Sequence, residues 1–68
     1  MIAKLREIRK ARGMTQEQLA KVSGIHRITI ARYETGKIDS TLQNAEKLAN
    51  ALCVTVDDLI GKEGEHAS

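Results

Sequence analysis

The stretch "QEQLAKVSGIHRITIARYE", residues 16–34, sets two short helical patterns around a single glycine, and this junction constrains the chain more than any other feature. A turn this tight calls for a residue at positive φ, which Gly24 supplies without a Cβ penalty. The preceding helix must also let the next one approach closely. Ala20, four residues before the glycine, gives that clearance; Ile25 can plug the corner, and Ile30 and Tyr33 point inward at a spacing of three. A small residue, a glycine and an aliphatic residue at positions 20, 24 and 30 describe a specific αα-corner.

The remaining sequence supports an all-α fold. Tyr33 is the only aromatic and proline is absent, so aliphatic residues and alanine must build the core, which suits packed helices better than strands. With 68 residues there is one domain and no room for a catalytic cleft beside a second one. Five helices are expected. Ile2, Leu5 and Ile8 form a stripe in the first, which Gly13 ends near residue 12. Thr15 with Gln18 has the form of a capping box for the second, burying Leu19, Ala20 and Val22 before Gly24. The third runs from about Arg27 to Thr35 and ends at Gly36. Ser40 with Gln43 offers a capping box for the fourth, whose Leu42, Ala45, Leu48, Ala49 and Leu52 share one stripe at about 100° per residue. Thr55 with Asp58 caps a short last helix that buries Val56, Leu59 and Ile60. The domain is expected over residues 1–60, with a loose tail over 61–68 that lacks apolar periodicity.

Charge is uneven along the chain although the net value is only +2. Lys4, Arg6, Arg9, Lys10 and Arg12 stand against Glu7 alone in the first 13 residues, whereas the segment after Ser40 is acidic. The first half can therefore sit on an anion such as a phosphate backbone, or simply present solvated helix faces.

Several function classes find no support in the residues. A single cysteine, Cys53, excludes an internal disulfide, and with His26 and His66 it shows no metal-ligand spacing. No apolar run approaches the ~18 residues of a membrane span, and Met1 opens into a charged helix, so a soluble protein in a reduced cytosolic setting is expected. Asp57 and Asp58 are adjacent and diverge on a short helix, where they complement the helix dipole. "TGKID" has a Gly-Lys pair without the rest of a phosphate-binding loop. No nucleophile–base constellation is visible, and no enzyme activity, cofactor, metal or small-molecule ligand is expected.

The stretch from about Leu5 to Ile60 resembles the Cro and phage-repressor type of helix-turn-helix DNA-binding domain, through "LREIRKARGMTQEQLA", "SGIHRITIARYETGK" and "LANALCVTVDDLI". The resemblance implies a compact five-helix, lambda-repressor-like domain. Its third helix would enter the major groove of double-stranded DNA, and a homodimer would bind a near-palindromic operator. Two positions depart from the family pattern. Cys53 stands where a left-handed glycine often closes the fourth helix, at a cost of about 1 kcal/mol if that conformation is kept. Ser40 replaces a common proline and still works as a cap.

Helix geometry and the resemblance meet on the third helix. With Arg27 at zero and ~100° per residue, Ile30 and Tyr33 point to one side, and Ile28 and Arg32 to the other. The resemblance places base-reading positions at Arg27, Ile28 and Arg32, with Gln16 beside them. An exposed isoleucine can meet a thymine methyl, and arginine can donate to guanine O6 and N7. Thr15, Gln16, Thr29, Lys37 and the backbone near Ser40 and Thr41 are then expected at phosphates, Thr15 and Ser40 also acting as caps. His26 sits where the family has a small polar cap, and is read as a surface histidine or a phosphate contact. Arg9 and Glu34 occupy positions that pair in the family as a partly buried salt bridge. Val54, Val56, Leu59 and Ile60 exceed what a short last helix needs for a core, so part of that surface is expected to meet a second copy. The expected function is a sequence-specific transcriptional regulator, a repressor in the leading reading. A restriction-modification controller, an antitoxin and a protein-interaction module are alternatives on the same fold.

Overall fold

Short polar residues and left-handed turns punctuate the chain into α1 (Leu5–Ala11), α2 (Gln16–Ser23), α3 (Arg27–Thr35), α4 (Leu42–Leu52) and α5 (Val56–Ile60). A computed structural model describes residues 1–61 of the chain, so the tail expected over 61–68 lies, apart from Gly61, outside the described residues. Among the described residues all regular structure is helical.

The caps explain most boundaries. Thr15 starts α2 with a complete capping box: its hydroxyl accepts from the Gln18 amide at 3.0 Å, and Gln18 Oε1 accepts from the Thr15 amide at 2.8 Å. Thr55 and Asp58 repeat the arrangement at α5. Between α2 and α3, Gly24 sits at φ 75°, and its N–H closes on the Ala20 carbonyl at 2.9 Å. Here the left-handed conformation allows the chain to leave one helix and enter the next within three residues.

Two expectations about the helix caps need correction, and the conformation left open at Cys53 is decided. Thr41, one residue later than expected, caps α4 by accepting from the Asn44 amide at 3.1 Å, while Ser40 is buried and donates its hydroxyl to the Thr41 carbonyl. His26 caps α3 through Nδ1, which accepts from the Ile28 amide at 3.1 Å and takes over the work of a short polar side chain. Cys53 keeps the left-handed conformation, φ 58° and ψ 42°, because its N–H and that of Val54 must still close on α4 carbonyls.

The core takes one or two apolar residues from each of α1, α2, α3 and α5 and four from α4. Leu5, Leu19, Ile30, Leu48, Leu52 and Leu59 are fully buried, each worth about 1.5–3 kcal/mol of transfer free energy. Ile2 joins them from the turn before α1. α2 packs on both α3 and α4, α5 closes on α4, and α1 bridges α3 and α5.

Val22 and Leu42, both expected in the core, are instead 61% and 58% exposed. The covered side of α2 runs through Gln16, Leu19, Ala20 and Ser23, and Val22 lies about 60° outside it at ~100° per residue. Leu42 has the correct angle on α4 but stands in its first turn, beyond the elements that cover the rest. Val56 and Ile60 are half-buried against the core rather than sealed in it.

Candidate nucleic-acid interface

α3 divides its residues between two jobs. Ile30 and Tyr33 face the core, and Asn44 Nδ2 on α4 donates to the Tyr33 hydroxyl at 2.8 Å, which fixes the roll of α3 about its own axis. On the opposite side Ile28 and Arg32 are exposed, Ile28 at 47%, and Arg27 is exposed at the first position of the helix. Among the described residues no ion pair engages Arg27, Arg32 or Lys37, and all three are exposed.

Behind this face lies a buried polar node. Arg9 on α1 donates Nε to Glu34 Oε2 at 2.6 Å and Nη2 to Glu34 Oε1 at 3.2 Å, and its Nη1 reaches the Met14 carbonyl at 2.7 Å. The Arg9 and Glu34 side chains are nearly sealed from solvent. Glu34 Oε1 also accepts from Gln16 Nε2 at 3.0 Å. The node thus joins α1, the turn before α2, the first residue of α2 and the last turns of α3. No buried polar side-chain atom among the described residues lacks a partner. Gln16 lines an open groove with Arg9, Lys10, Thr15 and Arg27, where the start of α2 meets the start of α3.

The threonines and the serine differ in what they leave free. A hydroxyl has one proton to donate and two lone pairs to accept. Thr15 and Thr41 use only acceptor capacity in capping, so each exposed hydroxyl can still donate to an anion. Ser40 has already donated its proton to Thr41, and its amide donates to Asp39 Oδ1 at 3.1 Å, leaving neither group for a phosphate. Thr29 is half-buried in the first turn of α3. Asp39 also pairs with the Met1 amino group, and that hydrogen bond, reinforced by its positive charge and by the Ser40 amide, holds the Asp39 carboxyl below its ordinary range.

The sequence reading did not reach the bonds from Gln16 to Glu34 and from Asn44 to Tyr33. Each joins residues on different helices, and neither polar pair has a local spacing that marks it.

Residues 5–59 match the helix-turn-helix family, most of the chain and every helix of the fold. The chain belongs to the helix-turn-helix family. α2 and α3, with Gly24 between them, form the helix-turn-helix itself, within a lambda-repressor-like arrangement of five helices. This helix-turn-helix protein is 42% identical over 59 residues to an uncharacterized HTH-type transcriptional regulator of Archaeoglobus fulgidus, covering 87% of this chain and 84% of that one. It is 39% identical over 54 residues to the cryptic phage CTXphi transcriptional repressor RstR of Vibrio cholerae, covering 79% of this chain and 48% of the repressor. Control protein C.SmaI of Serratia marcescens is 37% identical over 60 residues, with 88% of this chain and 71% of that protein covered. The family is one of DNA-binding transcriptional regulators. No helix among the described residues is long and apolar enough to cross a membrane.

Proposed function

We propose that the protein represses transcription by binding a near-palindromic operator as a homodimer, with α3 of each copy in the major groove. The observation that carries this reading is the exposure of Arg27, Ile28 and Arg32 on a helix held in place by buried Ile30 and Tyr33 and by the bond from Arg9 to Glu34. Arginines on a rigid helix can donate to guanine O6 and N7, and the isoleucine between them can meet a thymine methyl. Thr15, Thr41 and Lys37 would hold the flanking phosphates and set the register.

Repression is favoured by the similarity to a named phage repressor. Val54, Val56 and Ile60 are the half-buried apolar residues near the C-terminal side that would meet a second copy. Leu59 offers nothing to such a partner, because it is 0% exposed in the single chain and belongs to the core. A two-fold dimer would hold its recognition helices ~34 Å apart, one turn of DNA, and so demand a palindromic site. Selection of binding sites from a random DNA pool tests the reading directly. An enriched inverted repeat is expected, and failure to enrich any motif would overturn it.

A further inference from the structure

A helix that reads base edges must keep a fixed angle to the groups that hold the backbone, and one of those, Thr41, stands at the start of α4. α3 and α4 are not among the helix pairs that pack broadly on one another. Among the described residues one side-chain hydrogen bond spans them, from Asn44 Nδ2 to the Tyr33 hydroxyl at 2.8 Å. Burial of Ile30 and Tyr33 draws α3 to the core without preferring a direction, whereas a hydrogen bond weakens steeply as its angle changes. The Thr41 hydroxyl also accepts from the Asn44 amide at 3.1 Å. Half-buried Asn44 therefore touches both the base-reading helix and the hydroxyl proposed to hold a phosphate. We propose that Asn44 is a positioning residue for DNA recognition, tying the start of α4 to α3 so that backbone and base contacts are made in one register.

The inference rests on the proposed DNA binding and deepens it. Arg9 and Gln16 refer Glu34, the next residue of α3, to α1 and α2, but those bonds leave α4 out. The Lys37 amide closes on the Arg32 carbonyl at 2.9 Å, so Lys37 moves with α3 while Thr41 moves with α4. Phosphates recur along both strands, and a small rotation of α3 against α4 leaves backbone binding nearly intact. A two-pronged contact to a base edge does not tolerate it.

The experiment compares the parent with Asn44→Ala, Tyr33→Phe, the double variant and Asn44→Asp, at a temperature where the helical signal shows each to be folded. Binding is measured to the motif that site selection enriches for the parent and to a random duplex of the same length. Asn44→Ala and Tyr33→Phe are each expected to bind the motif about fivefold to tenfold more weakly, the scale of one hydrogen bond. Random duplex should stay within about twofold of the parent, with the same salt slope. The double variant should do no worse than Asn44→Ala, because both changes remove the same bond. Asn44→Asp can accept from the Tyr33 hydroxyl, so it should keep the parent ratio of motif to random binding while its charge weakens both. A purely structural tie would lower the melting temperature and leave that ratio alone. Tyr33→Phe removes one oxygen and decides the matter should Asn44→Ala fail to fold. An unchanged ratio in the folded single variants, losses that add in the double variant, or an Asn44→Asp ratio as low as that of Asn44→Ala overturns this inference while the proposed function stands. A parent that enriches no motif overturns both.

Discussion

Arg9 and Glu34, twenty-five residues apart in sequence, meet through a two-pronged contact in which Nε lies 2.6 Å from Oε2 and Nη2 lies 3.2 Å from Oε1. Desolvating two charges is costly, so the pair alone is weak grounds for stability; what it supplies is a fixed relation between α1 and α3. The third arm of Arg9, on the Met14 carbonyl, extends that relation to the turn leading into α2. The two helices of the helix-turn-helix are thereby referred to a common point behind the surface proposed to meet DNA.

Removing one partner leaves the other charge buried. Arg9→Ala should cost about 3 kcal/mol, and for a chain of this size lower the melting temperature by more than about 10 °C. Lys10→Ala, on the exposed side of α1, should change stability by less than about 0.5 kcal/mol. Equal melting temperatures in a calorimeter would show that the pair does not hold the helices together.

The exposed row on α3 should separate base reading from phosphate binding. Arg32→Ala is expected to lose discrimination at one base pair, about 1 to 3 kcal/mol, and Ile28→Ala to weaken a thymine preference at a neighbouring step. Lys37→Ala should instead weaken all sequences about equally and reduce the slope of log K against log salt by roughly one unit per half-site. Site selection and salt titration of each variant check these outcomes. Retention of the parent motif by both the Arg32 and Ile28 variants would remove them from the recognition surface.

Two left-handed residues should respond with opposite signs. Cys53 bears a Cβ at φ 58°, so Cys53→Gly should stabilise the protein by about 1 kcal/mol. Gly24 already relieves the same strain at φ 75°, with open space where a Cβ would stand, so Gly24→Ala should cost about 1 kcal/mol from conformation alone. Denaturant unfolding curves measure both. A destabilised Cys53→Gly would mean that the cysteine side chain contributes more than its backbone strain removes.

Assembly and core can be separated on α5, where neighbouring residues point different ways. Ile60→Lys should favour monomers in sedimentation while leaving the helical signal intact, because Ile60 is only half-buried in the single chain. Leu59→Ala removes a fully buried side chain and should cost about 2 to 5 kcal/mol whatever the oligomeric state. A parent protein that stays monomeric at high concentration, with and without DNA, would count against the dimer.

The sequence by itself determined the helices, their order and the corner between α2 and α3, because those depend on interactions between residues a few positions apart. Thr15 reaches Gln18, Thr55 reaches Asp58, and Gly24 answers to its own φ; such spacings are visible in one dimension. The exposure of Ile28 beside buried Ile30 and Tyr33 followed from the angular period of a single helix. What only the tertiary structure decided were the matters set by which elements end where. Leu42 has an apolar side chain at the correct angle on α4, yet in the first turn of that helix it stays exposed, and which side of α2 is covered, leaving Val22 out, is set by the packing of α3 and α4. Leu59, expected both in the core and on the surface meeting a second copy, is wholly core, because α1 and α4 both close on α5. The contact between Gln16 and Glu34 likewise exists only because packing brings the start of α2 against the last turns of α3, and hydrogen bonds between distant residues carry no periodicity for a sequence to display.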